Sequence, residues 1–194
     1  MKKDIILAGV GGQGILSIAA VIGMAAIDSG LQLKQAEVHG MSQRGGDVHS
    51  NLRISDSEIY SDLIPFGHAD LIISVEPMES LRYLPFLSKE GWLITNNVPH
   101  VNIPNYPPIE DVYKEIEAVK YHVMLDADQM AKDLGAPRSA NMVILGAASP
   151  WLEIEYAALE KSIEKIFGRK GADIVAQNHK ALAAGREYAM KHHS

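Results

Sequence analysis

Apolar positions along the chain fall into two alternating periods. Lys3 to Val10 is a run of aliphatic and β-branched residues that stops at Gly11-Gly12-Gln13-Gly14, which predicts a buried strand and a tight turn. Ile15 to Ile27 then carries no charged residue, so a helix buried nearly all round is expected, closed at its C-terminus by Gly30. Gln32 to His39 reads as a second strand, followed by the glycine-rich segment Gly40 to Gly46. Beyond it Val48, Ser50, Leu52 and Ile54 alternate with Asp47, His49, Asn51 and Arg53, the period of a half-buried strand. Ser55-Asp56-Ser57 reads as a turn and Glu58 to Leu63 as its hairpin partner, an antiparallel insertion in a parallel pattern.

Strand and helix then alternate. Strands are expected at Asp70 to Val75, Trp92 to Thr95 and Val119 to Leu125, and helices at Pro77 to Leu84, Ile109 to Glu117 and Asp126 to Leu134. Pro99, Pro104, Pro107 and Pro108 mark Asn96 to Pro108 as a long surface loop. An apolar helix starting at Asn141 runs to Ala148, and two amphipathic helices, Glu155 to Phe167 and Ala172 to Lys191, finish the chain. Without repeat or linker, the pattern predicts one α/β domain over residues 1–194. Its expected form is a Rossmann-like, three-layer unit with a mainly parallel sheet and the inserted antiparallel hairpin.

Composition narrows the chemistry. Of the 194 residues 47% are hydrophobic and 22% charged, a globular balance, and the net charge of −6 argues against nucleic-acid binding by bulk electrostatics. Ile15 to Ile27 falls short of the roughly 20 apolar residues a membrane span needs, and no cleavage site follows the N-terminal residues. A soluble, cytoplasmic chain is expected. Cysteine is absent, which removes disulfides, thiolate-held zinc, thiol nucleophiles and iron–sulfur clusters from what this chain does alone.

Two segments are candidates for a site. Gly9-Val10-Gly11-Gly12-Gln13-Gly14 satisfies G-x-G-x-x-G directly after a strand, and its glycines permit a sharp turn and the close approach of a phosphate or another backbone. A dinucleotide site also wants an acid about 20 positions on, at the end of the second strand. Glu37 stands near that distance but is followed by His39 and Gly40. The second segment, His39-Gly40-Met41-Ser42-Gln43-Arg44-Gly45-Gly46, lies at the same predicted sheet edge, where Arg44 could clamp a carboxylate or phosphate or could fill the hollow a cofactor would take. Glu76, Asp126 and Asn141 read as helix caps at that edge, where Asn96 and Asn97 also fall, and Glu79 with Arg82 as a helix-surface pair. The eight histidines show no ligand spacing, so no metal site is expected, and with neither a G-x-S-x-G elbow nor a P-loop lysine no catalytic centre is expected on this chain.

Together the glycine turn and Glu37-Val38-His39-Gly40-Met41-Ser42-Gln43-Arg44-Gly45-Gly46 resemble the gamma-type domain of the 2-oxoacid:ferredoxin oxidoreductases, of the indolepyruvate type. The resemblance continues through Glu76-Pro77-Met78-Glu79, Asn141 to Ala147, Gly168-Arg169-Lys170-Gly171 and Gly185. It implies a heteromeric enzyme that oxidatively decarboxylates an aryl 2-oxoacid with coenzyme A, yielding acyl-CoA, carbon dioxide and reduced ferredoxin. Thiamine pyrophosphate, magnesium and the iron–sulfur clusters are then implied on a cysteine-rich large (alpha) subunit, with no cofactor on this chain. Ferredoxin would be met indirectly. Gly9, Gly11, Gly12, Gln13, Gly14, His39, Ser42, Gln43, Arg44, Gly45 and Gly46 would face that partner, the substrate or coenzyme A. The other reading is a free-standing nucleotide-binding protein or NAD(P)-dependent reductase built on Gly9 to Gly14.

Overall fold

The computed structural model describes residues 1–39, 46–101 and 103–193. Its elements run β1 (Lys2–Val10), α1 (Ile15–Asp28), β2 (Gln32–His39), β3 (Asp47–Ser55), β4 (Ala69–Ser74), α2 (Pro77–Arg82), β5 (Leu87–Asn96), α3 (Ile109–Glu117), β6 (His122–Leu125), α4 (Ala127–Asp133), α5 (Ala140–Ala148), α6 (Tyr156–Phe167) and α7 (Ala172–Lys191). They form a mixed six-stranded sheet of order β2-β3-β1-β4-β5-β6, flanked by helices. The α/β class and the mainly parallel sheet are as expected.

Where the antiparallel strand pairs is not. β3 lies between β2 and β1 and runs antiparallel to both, so the hairpin is β2 with β3. Glu58 to Leu63 forms no strand. The side chains of β3 take its backbone groups instead: Arg53 Nη1 donates to the carbonyls of Ser61 and Leu63, and Asn51 Oδ1 accepts from the Ile64 amide. Arg53 also grips the buried Asp4 through two hydrogen bonds of 2.7 and 3.0 Å, which fastens this segment to β1.

Two apolar clusters lie on opposite faces of the sheet. The larger joins Ile5, Leu7, Leu52, Leu71, Ile73 and Ile94 to α1, α5, α6 and α7; the smaller joins Ile6, Ile72 and Leu93 to Ile64, Tyr83 and α3. In the larger, α5 and α7 pack backbone to backbone. A Cβ at Gly146 would stand 2.0 Å from the Leu182 carbonyl oxygen, and one at Gly185 would stand 1.9 Å from that of Val143. Helix α1 is buried on most sides, but Leu16 and Ile27 are 51% and 57% exposed, so burial all round is corrected to burial with an open apolar stripe. Its end is as expected: Gly30 has φ +77, and the Leu31 amide reaches back to the Ala26 carbonyl.

Candidate functional site

The glycine turn sits where the sheet changes direction. The connection from β1 carries the chain toward β2 and that from β4 carries it toward β5, so the two strand ends diverge and leave a crevice at their carboxyl edge. Gly9 is buried in its wall, because a Cβ there would stand 2.3 Å from the Val75 side chain. Gln13 closes the turn on itself: its Oε1 accepts from the Val10 amide at 2.8 Å. The Gly11 amide is spent on the Gly46 carbonyl at 2.9 Å, which ties the turn to the start of β3. Gly12 (φ +100) and Gly14 (φ +85) adopt the left-handed backbone that only glycine takes without strain, and space above Gly12 is open.

Over this turn lies a cavity of about 750 Å³, within the range of about 300–1,000 Å³ usual for small-molecule sites. Gly12, Gln13, Gly14 and Ser17 line one wall; Asn96, Ala127 and Asp128 another; Arg138 to Asn141, Phe167, Lys170, Gln177 and Asn178 close it. The N-termini of α1, α4, α5 and α7 all border it, and each brings partial positive charge. Arg138 and Lys170 add full charges, and among the described residues neither has a carboxylate partner; Lys170 lies over the Phe167 ring, 5.2 Å from its centre. Asp128, the one acid in the lining, is occupied by Asn96 Nδ2 at 2.8 Å. The cavity is therefore suited to an anionic ligand.

Side chains that appeared as caps fix its frame. Glu76 caps α2 by accepting from the Glu79 amide at 2.8 Å, and being fully buried it also accepts from the His100 amide and from Tyr106 Oη, at 3.1 and 2.5 Å. This carboxylate anchors the loop after β5. Asp126 caps α4 through the Gln129 amide, as expected. Asn141 does not start α5. Ser139 precedes the first helical residue, and Asn141 lies within the helix with its Nδ2 donating to the Gly14 carbonyl at 3.2 Å. That amide joins the glycine turn to α5 across most of the chain. Asn96 has a similar role, accepting from the Ala127 amide and donating to the Val75 carbonyl. Glu79 pairs with Arg82 as expected, at 2.8 and 3.2 Å, but its side chain is 4% exposed, so the pair is not a surface one.

Of the expected site residues, Gly12, Gln13 and Gly14 line the cavity, Gly9 and Gly11 are committed to packing and to Gly46, and Gly46 braces the turn from behind. Gly40 to Gly45, with Ser42, Gln43 and Arg44, lie outside the described residues, and His39 is placed only as the last residue of β2. Glu37 sits within β2, and β3 separates that strand from β1 by one further strand spacing of about 4.8 Å, so it is not where a dinucleotide ribose would need it. Arg138, Lys170 and Gln177 were missed. No spacing signal unites them, since they come from a loop, a 3₁₀ turn and α7.

Comparison with known proteins agrees with this geometry. Residues 4–188 match the family model of pyruvate ferredoxin/flavodoxin oxidoreductases. The chain is 38% identical over 202 aligned positions to the indolepyruvate oxidoreductase subunit IorB of Pyrococcus horikoshii, covering 98% of both chains. It is 37% identical to IorB of Methanothermobacter thermautotrophicus, covering 84% of this chain and 87% of that one. Among solved structures, the gamma subunit of a keto/oxoacid ferredoxin oxidoreductase from Geobacter sulfurreducens superimposes with a TM-score of 0.71 at 26% identity, covering 98% of this chain and 99% of that chain. A 2-oxoglutarate:ferredoxin oxidoreductase from Magnetococcus marinus, solved with 2-oxoglutarate, coenzyme A and succinyl-CoA, gives 0.78 at 23% identity; the match covers 98% of this chain but 31% of that one.

Proposed function

The chain belongs to the pyruvate ferredoxin/flavodoxin oxidoreductase family, and from that membership we propose that it is the small subunit of an enzyme oxidising indolepyruvate or a similar aryl 2-oxoacid. The products are the acyl-CoA, carbon dioxide and reduced ferredoxin. The redox and decarboxylation cofactors belong to a large partner subunit. Supporting this division, the chain has no cysteine, and among the described residues no three His, Asp or Glu side chains converge to hold a metal. Without cysteine, the donor set does not fit a thiolate-held iron–sulfur cluster. The exposed Leu16 and Ile27 on the uncharged helix beside the turn offer apolar surface to such a partner.

What this chain contributes is a seat for an anion. The observation that carries the reading is the cavity over the glycine turn, with Arg138 and Lys170 at its walls and, among the described residues, no carboxylate paired to either. Coenzyme A brings phosphate oxygens that suit two cations and helix N-terminal amides. Lys170→Ala in the enzyme assembled with its partner subunit is expected to raise the KM for coenzyme A about tenfold, the loss of one charge-assisted hydrogen bond, with kcat for indolepyruvate little changed. An unchanged KM would overturn the coenzyme reading. The NAD(P)-reductase reading loses its geometric basis with β3 between β1 and β2; calorimetry of the isolated chain with NADPH is expected to show no binding.

A further inference from the structure

Two side-chain hydrogen bonds tie α1, α5 and α7 together at the cavity and leave polar groups facing inward. Ser139, the residue before α5, is of a type that usually caps its own helix by accepting from a first-turn amide. Here it does not. Its hydroxyl donates to Oδ1 of Asn178 on α7 at 2.9 Å, and both residues are buried. The amides of Ala140 and Asn141, which no helical carbonyl can reach, therefore have no acceptor among the described residues. With Oδ1 of Asn178 taken, Nδ2 is the end left over. Asn178 is only 5% exposed, yet this nitrogen has no partner among the described residues and is not sealed in the core. Ser139, Ala140, Asn141 and Asn178 all line the cavity, so the carboxamide nitrogen and the α5 amides open onto one space. Asn141 extends this frame to α1 through the Gly14 carbonyl at 3.2 Å, and α1 also starts without a side-chain cap.

We propose that Asn178 is a specificity-determining residue that seats a phosphoryl group of the ligand: its Nδ2, aimed by Ser139, completes a cradle of neutral donors with the uncapped N-terminus of α5. A phosphoryl group carries three terminal oxygens in a pyramid and accepts from several directions, whereas a carboxylate offers two oxygens in one plane. Donors on two helices, with a third helix tied alongside, match the first shape better than the second. The cradle also does what Arg138 and Lys170 cannot. Cationic side chains attract any anion at a distance and yield to salt; buried neutral donors act only at contact and are screened little. Left without an acceptor, each buried donor costs free energy, which an incoming oxygen recovers. Asp128, the acid of the lining, belongs to α4 and is tied to Asn96, so it is not among these groups.

The inference rests on the coenzyme reading for its kinetic readout, and a second readout is independent of it. In the enzyme assembled with its partner subunit, inorganic phosphate is added with chloride holding the ionic strength constant, and hydrogen exchange is followed in the peptide spanning 139–143. The KM for coenzyme A and kcat are measured alongside. Phosphate should slow exchange there in the wild type. Asn178→Asp keeps an acceptor for Ser139 and replaces the free nitrogen by a carboxylate oxygen; it should abolish the slowing and raise the KM about thirtyfold, with a smaller effect on kcat. Asn178→Ala, which buries no charge, should raise the KM about tenfold, and Ser139→Ala, which leaves Asn178 present but unaimed, about threefold. Each variant is compared with its own phosphate-free state, so a general loss of stability cancels. If phosphate leaves exchange unchanged in the wild type, or slows it equally in the Asn178 variants, the cradle holds no phosphoryl group and the proposal falls. If malonate slows exchange as much as phosphate, the seat does not distinguish the two shapes and the phosphoryl assignment is refuted. If the slowing is lost in the Asn178 variants while the KM for coenzyme A is unmoved, the cradle stands and the coenzyme reading is the part that fails.

Discussion

The two faces of the sheet are held by different physics. On one, α1, α5, α6 and α7 bury an almost purely apolar cluster, and α5 meets α7 so closely that glycine backbones touch. On the other, the apolar cluster is small and the buried side chains beside it include Asp4, Glu76 and Glu79, each satisfied by named partners. Close packing is insensitive to pH and intolerant of added volume. Hydrogen-bonded carboxylates tolerate small shifts and respond to protons. The glycine turn lies between the two, with the cavity on the packed face and the Tyr83–Asp47–His49 group behind it. A rigid wall therefore shapes the site, and an adjustable one backs it.

Substitutions can break this contrast in order of expected effect. Gly185→Leu forces a side chain where a Cβ would already stand 1.9 Å from the Val143 carbonyl oxygen. Separation of α5 from α7 should cost about 4 kcal/mol or more, measured as a lower urea midpoint. Arg53→Ala removes both hydrogen bonds to Asp4, whose side chain is 1% exposed, together with the clamp on Ser61 and Leu63. A loss of about 3 kcal/mol is expected, moderated because Lys2 still reaches Asp4 at 2.9 Å. Tyr106→Phe leaves Glu76 with its two amide donors and should cost about 1 kcal/mol, visible as faster hydrogen exchange in the loop after β5. Were Arg53→Ala milder than Tyr106→Phe, the polar face would owe little to its buried ion pair.

Much of the molecule was legible because the determinants are local. The glycine turn, the capping carboxylates Glu76 and Asp126, and the left-handed Gly30 each depend on neighbours within a few residues. Expectations failed where the partner was distant. Glu58 to Leu63 was assigned to β3 by proximity, whereas β3 found β1 instead. Asn141 looked like a cap because its sequence neighbours suit one, and its carboxamide is used on Gly14.

By itself, then, the sequence determined the α/β alternation, the glycine turn, and an inability to ligate clusters through cysteine, since these follow from short-range periodicity, backbone freedom and side-chain inventory. Tertiary structure alone decided that β3 lies between β2 and β1, that Arg138 and Lys170 line one cavity over the turn, and that Tyr83 joins Asp47 to His49 behind it. Strand pairing and the gathering of charges depend on contacts between residues far apart in the chain, which no local pattern encodes.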